Sequence, residues 1–384
     1  MKYFIEESTL TGIGDAIREK NGTSDLIPVT GLADAIINLP SGGGDIPEEV
    51  LVITGDCSYR FSNNGWNAFI DAFGNQITTK DVGSISNMCY NSYSLTRMPF
   101  VINGKGGNNV ANASYAFYGC SALTEAPVLK NINISQMDNM YYGCTKLRYI
   151  PEPDDSVTFT SAITNSTSRS CDSAFYNCYS LRRIPDKYLA TIRNAATSSN
   201  RIAYYNTFYN CVALDELKGL GVCQPYAWTS NMLTPLGSQL ARINAFTFAT
   251  QDDGTPYVAS WKSQTLNLQG IGYVQTSLKN YLLNYNSGIT TDKEVTDEAT
   301  YQALKVDPDW WTTDFNYSRY NHNSAVETIN SLPDTSAYLT ANGGTNTIQF
   351  RSAMGANTDG GAISNLTEEE IAVATAKGWT VTLA

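Results

Sequence analysis

Apolar residues recur in a fixed frame through the middle of the chain. Met137, Met140 and Cys144 fall at i, i+3 and i+7, one face of a helix. Ala113, Ala116 and Cys120 repeat the frame, as do Cys171, Ala174 and Cys178. Asn91, Gly119, Gly143, Asn177 and Asn210 follow where a helix would stop. Glycine and asparagine tolerate the left-handed backbone of a helix C-cap. Each unit is therefore expected to hold a short helix ending at its tyrosine. A leucine and a second apolar residue three positions later then predict a short strand. Pro99, Pro127, Pro151 and Pro185 each remove a ladder donor there, so pairing is expected over two or three residues only.

The frame belongs to a repeat. Five segments share it: Met88–Leu95, Ala116–Leu123, Met140–Leu147, Ala174–Leu181 and Thr207–Leu214. Cys89, Phe117, Tyr141, Phe175 and Phe208, at one repeat position, are 28, 24, 34 and 33 residues apart. A single helix and strand cannot bury its own apolar face, whereas a stack of such units can. The expected fold is an α/β solenoid, a right-handed coil with parallel strands on one face and short helices on the other. Leu95, Leu123, Leu147, Leu181 and Leu214 should be stacked and buried. Cys120, Cys144, Cys178 and Cys211 should lie inside as reduced, small hydrophobes.

Tyr118-Gly119-Cys120 with Leu123 and Pro127, and its counterparts in the other four segments (the last without the proline), resemble the BspA-type leucine-rich repeat of bacterial surface proteins and phage tail proteins. The resemblance covers residues 84 to 243. It implies a leucine-rich-repeat coil and a binding function. Residues 1–40 are similar to a short module that opens many phage tail and baseplate proteins, through Ser8–Lys20 and Leu26-Ile27-Pro28-Val29.

That N-terminal module carries two amphipathic helical faces. Leu10, Ile13, Ala16 and Ile17 form one, and Val29, Leu32, Ala33, Ile36 and Ile37 form the other. Residues 41–45 are a Gly-rich linker. Residues 46–83 are expected to cap the first coil, with the repeats running over 84–245. Residues 246–320 are irregular, aromatic-rich, degenerate repeats. Residues 321–384 are expected to form a C-terminal cap. In it, Thr367 and Glu370 make a capping box, a helix stops at Gly378, and Trp379–Leu383 alternates as a strand.

Charge then narrows the function. Twenty-five basic residues against 36 acidic ones leave a net charge of −11, which opposes a duplex nucleic-acid partner or an anionic lipid surface. Charged residues are 16% of the chain, against about 25% in ordinary globular proteins, and 24 tyrosines help fill the difference. Such a surface suits extracellular binding. No apolar window is long enough to cross a membrane, and acids at Glu6 and Glu7 interrupt any signal-peptide run.

Chemical motifs are sparse. Gly12-Ile13-Gly14 lacks the third glycine of a dinucleotide loop. His322 is the single histidine and has no nucleophile motif beside it, so no cofactor or metal is expected. Asp154-Asp155 and Asp252-Asp253 lack EF-hand spacing and read as solvated turns.

The expected function is a non-enzymatic phage tail or baseplate protein, placed in the virion after synthesis in the host cytoplasm. It would bind a glycan or protein receptor on the bacterial surface. The alternatives are a bacterial cell-surface adhesin and a tail-associated glycan hydrolase. The candidate binding row is Arg97, Glu125, Tyr149, Arg183, Glu216 and Arg242, one outward residue per strand about 4.8 Å from the next. A solvated sheet face with offsetting charges is the competing reading of that row. Trp310 and Trp311, in the aromatic-rich stretch, are a second candidate. Leu10, Ile13, Ile17, Leu32, Ile36 and Ile37 are the candidate attachment and oligomerisation residues, against tail proteins or identical copies. A trimer is expected from likeness to tail fibres, and a leader docked on the solenoid cap is the alternative.

Overall fold

The structure, a computed structural model, describes residues 51–62, Asn67, Ile70, and residues 74–107, 109–159, 171–190, 206–220, 240, 243–271, 319–356 and 359–384. The N-terminal module and linker, Arg242, Trp310 and Trp311 lie outside the described residues.

The segments expected to be short helices are tandem turns. Within one block, Met88 N–H donates to the Ile85 carbonyl at 3.0 Å and Tyr90 N–H to Asn87 at 3.1 Å, each closing an i−3 turn. The alternate donors leave the block. Asn87, Cys89 and Asn91 donate to the carbonyls of Ser114, Ala116 and Tyr118 in the next repeat, at 3.0, 2.7 and 2.7 Å. Two residues per block hold a left-handed backbone, Asn87 and Asn91 in the first, Tyr115 and Gly119 in the second, Asn139 and Gly143 in the third. A left-handed residue every fourth position interrupts a helical ladder. The inward residues of a block still fall at i, i+3, i+4 and i+7, as with Ala113, Ala116, Phe117 and Cys120. Periodicity alone therefore does not separate this arrangement from a helix.

The same bonding continues upstream of the five segments. Cys57, Tyr59 and Phe61 donate to the carbonyls of Ser84, Ser86 and Met88 at 2.9, 3.1 and 2.7 Å. Residues 57–62, read from sequence as part of a cap, thus bond to the next block as the repeats do.

Between blocks the chain pairs in short parallel ladders. β1 (Leu51–Asp56) pairs with β2 (Ile77–Ser84). β3 (Ile102–Asn103) pairs with β5 (Leu129–Lys130). β4 (Val110–Asn112), β6 (Asn133–Gln136) and β7 (Thr158–Phe159) form a three-stranded sheet. Gly104 lies so near the next repeat that a Cβ on it would sit 2.4 Å from the Asn131 carbonyl oxygen. The expected leucine strands of the first three repeats are reduced to single bridges, Arg97 to Glu125 and Glu125 to Tyr149, both parallel. Leu95, Leu123, Leu147, Leu181 and Leu214 are fully buried, and the apolar residue three places after each is buried too.

A short helix, α1 (Asp186–Ala190), precedes β8 (Glu216–Leu220), which pairs in parallel with β9 (Ala245–Phe248). β10 (Thr265–Asn267), β11 (Asn346–Phe350) and β12 (Trp379–Leu383) make a second three-stranded parallel sheet. α2 (His322–Ser331) lies along β9. Its Ser324 and Thr328 hydroxyls donate to the carbonyls of Asn244 and Phe246, and Phe248 N–H donates to the Ser331 hydroxyl at 2.9 Å. Their i, i+4, i+7 spacing puts the three hydroxyls on one helix face, where they satisfy backbone groups of a strand edge. α3 (Ser336–Asn342) follows, and α4 (Glu368–Ala376) starts at the expected Thr367–Glu370 capping box. Trp261 and Trp379 are buried edge to face, 6.1 Å apart.

Candidate functional site

Two rows of surface side chains run across the repeats. The first is the expected strand row. Parallel bridges bring Arg97, Glu125 and Tyr149 side by side; Arg97 and Glu125 are exposed and Tyr149 is half-buried. Farther along, the Arg183 guanidinium lies 3.8 Å from the Glu216 carboxylate, which also meets Lys218 at 3.5 Å. Arg183 and Glu216 thus meet an opposite charge within the row. Arg242, Trp310 and Trp311, and the attachment residues Leu10, Ile13, Ile17, Leu32, Ile36 and Ile37, lie outside the described residues.

The second row was not picked out from the sequence. Tyr90, Tyr118, Tyr142, Tyr176 and Tyr209 stack face to face, with centroids 4.9, 4.7, 4.5 and 4.6 Å apart and ring planes within 13° of parallel. All five are half-buried. Burial and the neighbouring phenols push the Tyr118 and Tyr176 hydroxyls above the ordinary tyrosine range, so they stay protonated donors. The position after each tyrosine carries no charge, and Asn210 donates its amide to the Asn177 side-chain oxygen at 2.8 Å. The signal was present as a tyrosine at one offset in all five segments. Reading it as the end of a helix concealed that the rings meet.

Inside the blocks a second stack, Phe117, Tyr141, Phe175 and Phe208, has centroids 5.5 to 6.2 Å apart. Beside it the repeat cysteines are free and buried, as are all seven cysteines among the described residues. Their thiols do more than fill space. Cys120, Cys144, Cys178 and Cys211 donate to the carbonyls of Cys89, Phe117, Tyr141 and Phe175, at 3.1 to 3.2 Å. Burial pushes the Cys120 thiol up to about 12, away from nucleophilic use.

The other candidate groups have structural partners. His322 Nε2 lies 3.0 Å from Glu370 Oε2, joining α2 to the start of α4. Glu370 also accepts from Thr367 N–H at 2.8 Å, and these bonds, the backbone one first, hold its carboxyl below the ordinary range. Asp154 and Asp253 accept from the backbone N–H groups of Ser156 and Thr255, both at 2.9 Å, and close their own turns. Among the described residues no group of histidine, cysteine and carboxylate side chains could hold a metal ion, and no helix is long and apolar enough to cross a membrane.

No protein-family model matches the chain, and neither a curated protein nor a solved structure matches it. The class rests on its own geometry: short parallel ladders joining repeated turn blocks, with two aligned rows of side chains outside.

Proposed function

We propose that the chain is a BspA-type leucine-rich-repeat protein, coiled as a right-handed solenoid in which turn blocks replace the helices. In this reading it serves as a non-enzymatic phage tail or baseplate component that binds the bacterial surface. The observation that carries the reading is the parallel bonding of successive turn blocks. It aligns one side chain per repeat into surface rows, and repeat proteins bind through such extended faces. The signature residues and the N-terminal module supply the likeness to tail proteins. Residues 1–40 would attach the protein to the particle and bring copies together, as a trimer.

The test is direct. Fluorescently labelled full-length protein is applied to a panel of intact bacterial strains, and the supernatant is assayed for released sugar. Decoration of at least one strain without sugar release is expected. No decoration of any strain would overturn the reading, and sugar release would replace it with a hydrolase.

A further inference from the structure

The surface reading leaves the receptor open between glycan and protein, and the tyrosine row bears on that choice. Within the row each ring covers the face of the next, so the inner rungs offer edges and hydroxyls, one per repeat, at 4.5 to 4.9 Å. The first rung differs. The residue matching Tyr90 in the preceding block is Ser62, which is buried and has no ring. Around this end stand the most exposed tyrosines of the described residues: Tyr59 at 62%, Tyr93 at 50% and Tyr115 at 38%. Tyr115 leans on both Tyr90 and Tyr118, at 6.3 and 5.6 Å.

Charge and shape define the occupant. The row and the glycine or asparagine after each rung are uncharged in a chain of net charge −11. An ionic partner finds no counter-charge on those columns. Tyrosine beside asparagine, serine and glycine is the composition of antibody contact loops, where rigid amphipathic rings and adaptable hydrogen bonds act together. A globular protein partner needs a patch of about 800 Å² on each side, whereas this row is single file. It fits a narrow, extended polymer whose own repeat is close to the strand spacing.

We propose that the tyrosine row binds one extended, uncharged polysaccharide chain, with a sugar ring stacked on the open tyrosines at the Tyr90 end and sugar hydroxyls along the rungs. This rests on the surface-binding reading and assigns its receptor to a neutral glycan.

Full-length protein is titrated calorimetrically with chitohexaose and with cellohexaose, and with a hyaluronan hexasaccharide as the anionic comparison. At least one neutral hexamer should bind, unaffected by added salt, and the anionic one should not. Tyr93→Ser with Tyr115→Ser should weaken binding about tenfold, the scale of losing one stacking contact. Should that pair fail to fold, Tyr142→Phe with Tyr176→Phe keeps the stack, removes two hydroxyls and should also weaken binding. Binding of neither neutral hexamer, equal binding of the anionic one, or wild-type affinity in the folded variants would overturn the assignment. Decorated cells with no hexamer binding would sink the glycan row and spare the surface reading. Hexamer binding with no cell decorated would do the reverse.

Discussion

Ser92 shows what the repeat position three residues after the inward aromatic requires. It stands where four later repeats have cysteine, and its hydroxyl donates to the Phe61 carbonyl at 2.8 Å. The position needs a small side chain with a hydrogen to give, because a buried carbonyl of the preceding block depends on it. Cys144→Ser should therefore be nearly neutral, whereas Cys144→Ala should cost about 0.5–1.5 kcal/mol, the Phe117 carbonyl then keeping only the Cys120 N–H at 3.1 Å. Urea denaturation of both variants checks this, and equal losses would refute it. The buried pair of Arg182 and Asp215 obeys a harsher rule. Its two bonds measure 2.8 and 3.0 Å, and Arg182 is 1% exposed. Asp215→Asn should destabilise by about 3–5 kcal/mol, while a well-packed apolar replacement of both partners should recover most of the loss.

At the scale of elements, the turn block sets different limits for different residues. Gly143 has φ +73°, the conformation that Asn177 and Asn210 adopt at the same repeat position. Gly143→Asn should fold normally, and Gly143→Val should lose at least about 1 kcal/mol to left-handed strain. The capping box of α4 has a pH signature. Glu370 has a lowered folded pKa, so its charge contributes stability that is present at neutral pH and lost as the pH falls through the carboxylate range. Glu370→Gln keeps the capping bond and removes the charge. Its melting temperature should lie below wild type at pH 7, and the gap should close on acidification. A gap independent of pH would contradict this. The box was legible in the sequence because both partners are local, three residues apart. The left-handed residue that closes each block was legible too, as glycine or asparagine, but the one four places earlier, Tyr115 in the second block, was not. What the sequence did not disclose was where alternate N–H groups go. Ala113, Ala116 and Cys120 have the same spacing in a helix and in tandem turns, and only the neighbouring repeat decides between them.

Across the whole molecule, the burial of Leu95, Leu123 and their counterparts was readable, because the inward pattern recurs at each repeat. The row that sets Arg183 beside Glu216 was readable too, with offsetting charges as one of its two readings, whereas the contact between tyrosine rings was not. The rungs lie 24 to 34 positions apart, and repeat spacing alone does not state distance. The hydroxyl face of α2 was equally hidden, since Ser324, Thr328 and Ser331 look like ordinary polar residues until β9 lies beneath them. That face protects a strand edge. Removing residues 319–384 should leave the backbone groups of Asn244, Phe246 and Phe248 open to pairing with other chains, and light scattering should show aggregation. A monodisperse truncated protein would show that the edge is protected by something else.

The turn blocks fix pitch independently of how much chain lies between them. Tyr118 and Tyr142 are separated by 24 residues and stack at 4.7 Å; Tyr142 and Tyr176 are separated by 34 and stack at 4.5 Å. Ten additional residues leave the rung where it was. Loop length and surface spacing are therefore separate variables in this architecture. The chain is a ruler whose marks stay fixed while material is inserted between them. A lineage carrying it can remodel its loops without losing the ladder, and a designer can place a foreign segment between two rungs and keep every ring in step.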